Sequence, residues 1–174
     1  MLVDALLPEL LQPCVLLLPA DVEAAAVVRI GEGVHGGAVL GYGALCRGLL
    51  SGRMRPDTAF GGDDLRRNDP KFQAPRFDQY LRAVQRLDLL AQYRYGKRVI
   101  HLAVRWMLDQ GVTTALWGAR HPNQLAPVAE VNGWSLEADV KAEIDRVLRE
   151  RITDPVGPEF MAPPSRLHLM DTQA

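Results

Sequence analysis

The residues best suited to chemistry run Tyr42-Gly43-Ala44-Leu45-Cys46-Arg47-Gly48-Leu49-Leu50-Ser51-Gly52. They follow a short apolar run, Ala38-Val39-Leu40, that reads as a buried strand. A strand opening into a glycine-rich loop lets backbone N–H groups face a ligand. Arg47 adds a cation and Tyr42 a flat aromatic surface. The combination suits a phosphate-containing cofactor. It is not a nucleotide P-loop, because no Gly-Lys-Ser/Thr follows the Gly48–Gly52 spacing. A second glycine motif, Gly31-Glu32-Gly33-Val34-His35-Gly36, is a literal GxGxxG after Val27-Val28-Arg29-Ile30. A dinucleotide fingerprint of this kind must open a helix. Gly37, Gly41 and Gly43 follow within an apolar run, which is poor helix material. A loop is therefore the preferred reading over a Rossmann-type site on Gly31, Gly33 and Gly36.

Other chemistries find less support. His35, His101, His121 and His168 form no HxxxH or HExxH pattern, and Cys14 and Cys46 form no CxxC. No metal site is expected. Two cysteines are too few for a disulfide scaffold, so a reduced, cytoplasmic setting is the expectation and Cys46 reads as inert. A net charge of -1 lacks the basic excess of a nucleic-acid footprint. The runs 63–67 and 146–151 mix both signs and read as solvated surface. The leucine-rich N-terminus begins with Asp4 and Glu9 rather than cations, and Pro8, Pro13 and Pro19 cut it too short to span a membrane.

The elements that must position the glycine-rich loop follow from periodicity. A chain of 174 residues fits one domain with a substantial core. Residues 53–76 form a long polar connection with Pro56, Gly61, Gly62, Pro70 and Pro75. Phe77, Tyr80, Leu81, Val84, Leu87, Leu90 and Ala91 recur at helical spacing, and Gly96 can end that helix. A second helix over 97–110 is apolar on most sides and so largely buried. Residues 112–117 read as a strand, Pro122 suits the first turn of a helix, and Ser135 is a good N-cap for a last helix. Its apolar stripe is Val140, Ile144, Val147, Leu148 and Ile152. Alternating strands and helices imply an α/β protein with a parallel sheet.

From Gly36 to Pro164 the chain resembles the C-terminal part of an aldo-keto reductase. The resemblance rests on Tyr42 to Gly52, on Asp64-Leu-Arg-Arg67 with Asp69-Pro-Lys-Phe72, and on Ala103-Val-Arg-Trp-Met-Leu-Asp-Gln-Gly111. Trp117-Gly-Ala-Arg120 with Gln124, and Val156 to Pro164, complete it. It implies an incomplete (β/α)8 TIM barrel holding the C-terminal strands and helices only. The organisation expected is 1–35 outside the family pattern, 36–164 reductase-like, and 165–174 a tail. The cofactor implied is NADP(H), and the substrate a small-molecule carbonyl or its alcohol.

Residue by residue, the resemblance gives Tyr42 as the aromatic stacking on the nicotinamide. Ala44, Leu45, Gly48 and Ser51 fall in the pyrophosphate loop, with Arg47 the nearby cation. Gly118, Ala119 and Arg120 match the turn holding the adenosine 2′-phosphate, and Gln124 clasps the adenosine. Many relatives carry asparagine where Val128 stands. A helix beginning at Pro122 would add free N–H groups beside Arg120. The family's catalytic aspartate, tyrosine, lysine and histidine come from the first half of the barrel, and residues 1–35 contain neither tyrosine nor lysine. The expectation is a truncated chain, inactive alone. The alternatives are a non-enzymatic binding module or pseudo-enzyme fragment, self-associating through open sheet edges, and the Rossmann-type protein above.

Overall fold

The computed structural model describes residues 27–30 and 38–156. The elements run β1 (Val27–Ile30), β2 (Ala38–Gly41), α1 (Arg76–Tyr95), α2 (Val99–Asp109), β3 (Thr114–Ala115) and α3 (Ala138–Arg151). Short 3-10 turns interrupt the connections.

β2 is the middle strand of three, pairing antiparallel with β1 and parallel with β3. The parallel pair, joined through α1 and α2, is the expected strand–helix–strand repeat. The antiparallel β1 makes the sheet mixed rather than wholly parallel. It also bears on the Gly31–Gly36 motif, which lies outside the described residues. Only positions 31–37 separate two strands paired antiparallel, Val27 opposite Gly41 and Ile30 opposite Ala38. A dinucleotide fingerprint sits in a parallel crossover of a dozen residues or more, so the flanking strands contradict the Rossmann reading.

α1 forms because apolar residues recur every three to four positions. Phe77, Tyr80, Ala83, Val84, Leu87 and Ala91 are all buried. Gly96 ends it in the left-handed conformation, its N–H donating to Gln92 O at 3.0 Å while Lys97 N–H reaches Ala91 O at 3.2 Å. This double closure satisfies the last carbonyls. α2 packs on α1, burying Val99, Leu102, Ala103, Val104, Trp106 and Met107. α3 also packs on α1 and buries Val140, Ile144, Val147 and Leu148. Tyr80 is fully buried, and its hydroxyl accepts from Val156 N–H at 2.9 Å, tying the end of the described chain to α1.

Three boundaries differ from the sequence reading. The strand expected over 112–117 shrinks to Thr114–Ala115, with Leu116 N–H extending the ladder to Gly41 O at 2.7 Å. Its partner β2 ends at Gly41, so further residues have nothing to pair with. The last helix starts at Ala138, not after Ser135. Asp109 accepts from Leu136 N–H at 2.8 Å, which holds Leu136 buried before the helix begins. The helix expected at Pro122 is two 3-10 turns, Pro122–Gln124 and Ala126–Glu130. Pro127 lacks the N–H that a continuing α-helix would need.

Candidate active-site cleft

The glycine-rich loop winds into 3-10 geometry over Cys46–Ser51, with three successive positive φ values: Cys46 at 48°, Arg47 at 52° and Gly48 at 89°. Cys46, Leu49 and Leu50 are fully buried, which fastens the loop to the core. Gly48 N–H and Leu50 N–H both donate to Leu45 O, at 2.9 and 3.1 Å, and the Ser51 hydroxyl donates to Gly48 O at 2.6 Å. Cys46 is disulfide-bonded, which differs from the inert thiol expected.

This loop forms one wall of a cleft of about 320 Å³. Leu45, Gly48 and Ser51 line it on that side; Trp117, Gly118 and Gln124 line it on the other. Two segments far apart in sequence, each expected to meet a phosphate-bearing cofactor, therefore share one cavity. Gly48 leaves the wall low: a Cβ there would stand 3.5 Å from Met54 Cε, in a backbone conformation that L side chains rarely adopt.

The cations of the cleft are not the expected one. Arg47 does not line it; its guanidinium bonds the buried Asp69 carboxylate at 3.2 Å. Arg53 and Arg66 line it instead. Arg66 is fixed by Asp64, whose Oδ1 accepts from Arg66 Nε at 2.9 Å and whose Oδ2 lies 2.5 Å from Nη2. Its guanidinium also sits 4.5 Å from the Phe60 ring centroid, and Nη1 reaches Arg47 O at 3.4 Å. The Asp64 partnership raises the Arg66 pKa, and hydrogen bonds from Arg66 hold Asp64 well below the usual carboxylate range. So 63–67, read as solvated surface, contains a preorganised cation at the cleft. The Asp-x-Arg spacing carried that signal: Asp64 caps a 3-10 turn by accepting from Arg66 N–H at 3.0 Å. Arg53, next to the loop's last glycine, was legible by position alone.

The opposite wall is a surface turn. Gly118, Ala119 and Arg120 are exposed. Gln124 Oε1 accepts from Arg120 N–H at 2.7 Å and from His121 N–H at 3.2 Å. The helix N-terminus expected here is replaced by this side-chain cap on a three-residue turn. Arg120 adds a small part to the lowering of the Asp64 pKa, after the Arg66 hydrogen bonds. Tyr42 is half-buried beyond the strand end, outside the cleft lining, and burial raises its pKa. Ala44 is buried in the core. Val128 is exposed on the second 3-10 turn.

Elsewhere the chemistry is structural. His101 is buried; Arg98 N–H donates to its Nδ1 at 3.0 Å, and burial lowers its pKa. Among the described residues no group of His, Cys, Asp or Glu is arranged to hold a metal ion, and no helix is long and apolar enough to cross a membrane.

Comparison with known proteins matches this geometry to a family. The Aldo/keto reductase family model covers residues 10–149, beginning earlier in the chain than the motifs quoted above. Aldo-keto reductase YhdN of Bacillus subtilis is 60% identical over 126 residues, which is 72% of this chain and 38% of that protein. An aldo-keto reductase of Strobilurus tenacellus is 32% identical over 76 residues, 44% of this chain and 22% of its own length. Among solved structures, a glycerol dehydrogenase from Gluconobacter oxydans superimposes with a TM-score of 0.64 at 54% identity, over 72% of this chain and 38% of that one. The chain thus spans about 38% of the length of two of these relatives.

Proposed function

The chain belongs to the aldo/keto reductase family, whose fold is a (β/α)8 barrel, and from that premise we propose that its cleft binds NADP(H). One observation carries the reading: Leu45, Gly48 and Ser51 share a single cavity with Gly118 and Gln124. Arg53 and Arg66 supply its cations, and a guanidinium can meet a phosphate bidentately. The Asp64 and Phe60 contacts hold Arg66 in place before ligand arrives, which lowers the ordering cost of binding. Gln124 keeps the N–H groups of Arg120 and His121 paired, and a phosphate at that turn takes over those donors. Tyr42 follows β2 outside the cleft lining, so on this reading the nicotinamide extends beyond the cleft to reach its ring. When bound, the dinucleotide supplies or accepts the hydride exchanged with a carbonyl or alcohol carbon. The first substrates to assay in the complete barrel are small polyols and their carbonyl forms, given the glycerol dehydrogenase relative.

On the family resemblance the proton-donating group lies in barrel strands that these residues do not match, and on this reading the 174 residues by themselves bind the dinucleotide without turning over a carbonyl. NADPH fluorescence titration tests the binding. Saturation in the wild-type chain, weakened roughly tenfold by Arg66→Ala, is the expected result; no saturation at any concentration removes the reading. Steady NADPH oxidation with an aldehyde panel, lost on heat denaturation, would overturn the inactivity. A second reading, a self-associating binding module, draws on the sheet order, which leaves β1 and β3 as edges among the described residues. A concentration-independent monomer in size-exclusion chromatography excludes it.

A further inference from the structure

Backbone at Cys46 and Arg47 stands in a region that costs a non-glycine residue energy and persists only where the surroundings over-determine it. Cys46 is fixed by complete burial and by its disulfide. Arg47 is only half-buried, so its restraint has to come from its bonds. Its guanidinium bonds Asp69 Oδ2 at 3.2 Å, 22 residues along the chain. Asp69 is only 2% exposed. Its other oxygen, Oδ1, is held by the Lys71 ammonium at 2.9 Å and accepts from Lys71 N–H at 3.0 Å. The two carboxylate oxygens thus do different work. One seats Asp69 in its own turn, and the other reaches across to the glycine-rich loop.

We propose that Asp69 is a positioning residue for the cofactor loop, acting through Arg47. By holding the Arg47 guanidinium outside the cleft, it keeps the left-handed step at 46–48 that sets Leu45 and Gly48 along the cleft wall. The role rests on the reading of the cleft as a dinucleotide site. It assigns Arg47 a mechanical part, in place of direct contact with phosphate.

Glycine makes the idea testable, since it adopts positive φ without a tether. The full 174-residue chain is compared as wild type, Arg47→Ala, Arg47→Gly, Asp69→Asn, and Asp69→Asn combined with Arg47→Gly. Two readouts are taken: NADPH affinity by fluorescence titration, and amide hydrogen exchange across 45–50. Arg47→Ala weakens NADPH binding and speeds exchange by roughly fivefold, whereas Arg47→Gly stays within about twofold of wild type in both. Asp69→Asn has an effect of roughly fivefold or more in the Arg47 chain and less than about twofold in the Arg47→Gly chain. Arg47→Gly binding as weakly as Arg47→Ala overturns the proposal and makes Arg47 a direct ligand. An equal Asp69→Asn effect in both backgrounds also overturns it, leaving Asp69 as the counter-charge of Lys71. Should Asp69→Asn fail to fold, the two Arg47 variants decide alone. If the wild-type chain binds no NADPH, the cofactor reading falls by itself, and the exchange data still decide whether Asp69 positions the loop.

Discussion

The two walls of the cleft are built in opposite ways. The 42–52 wall grows out of the core: Leu49 and Leu50 are fully buried beneath it, and Asp69 and Arg66 reach it from the connection that follows. The 118–124 wall lies on the surface, where Gly118 to Asn123 are exposed and one glutamine amide holds two backbone donors. The contrast shows where rigidity and adaptability are divided across the cleft. One side of the cleft is a loop fixed to the core, while the other is a turn held only by an exposed side-chain cap. Buried contacts are not remade without disturbing the core, whereas an exposed hydrogen bond contributes little and is replaced easily.

The sharpest way to break the contrast is truncation beneath each wall. Leu49→Ala destabilises the chain by about 2–5 kcal/mol, because the close-packed site cannot collapse around the cavity. Leu125→Ala, at a residue 49% exposed beside the other wall, changes stability by less than about 0.5 kcal/mol. Thermal or urea unfolding reads both, and similar losses would erase the distinction. Next in size, Tyr80→Phe removes the acceptor of the buried Val156 N–H and lowers stability by about 1–2 kcal/mol without altering the cleft. NADPH affinity is the control here, since a matching fall in binding would link the Tyr80–Val156 contact to the site.

A smaller, pH-dependent effect comes from His101. Burial holds its pKa below the ordinary value, so near pH 6 the folded chain binds fewer protons than the unfolded one. Its contribution is complete above the unfolded pKa of about 6.5 and is lost as pH falls below that value through the folded pKa. His101→Gln keeps an acceptor for Arg98 N–H and cannot titrate. It should flatten the part of the stability–pH curve that falls away below the unfolded pKa of about 6.5; an unchanged slope would assign the effect elsewhere. Smallest of all, Gln124→Ala leaves the melting temperature in place but speeds amide exchange at Arg120 and His121 by roughly fivefold. Unchanged exchange would mean that the turn is held by something other than the glutamine.

What could be read from the residues tracks how local the determining forces are. α1 and α2 were legible because their apolar period is written within each segment and Gly96 marks the break. β2 was legible as an apolar run before a glycine-rich loop. The start of α3 was missed because Ser135 satisfies a local capping preference, while the deciding bond comes from Asp109, 27 residues earlier. Which arginine lines the cleft was not legible for the same reason. Arg47 and Arg66 are both plausible beside a phosphate, and only Asp69 and Asp64 settle which guanidinium faces inward. The 3-10 turns across 53–76 carry no period and gave no signal beyond a long polar connection. That the 45–51 and 118–124 segments line one cavity is a tertiary fact, since no pattern within either segment encodes the other.

The Arg98–His101 bond has a consequence for observation. A ring nitrogen that accepts a backbone proton leaves the neutral imidazole with its hydrogen on Nε2, so the two nitrogens resonate far apart in a ¹⁵N spectrum. The ring sits in the corner where α1 hands over to α2, and Asp88 of α1 bonds both Arg98 Nε and Val99 N–H there, at 2.9 and 2.8 Å. A single labelled histidine therefore serves as a gauge of that corner: merging of its two signals reports the helical hairpin loosening before the rest of the chain unfolds.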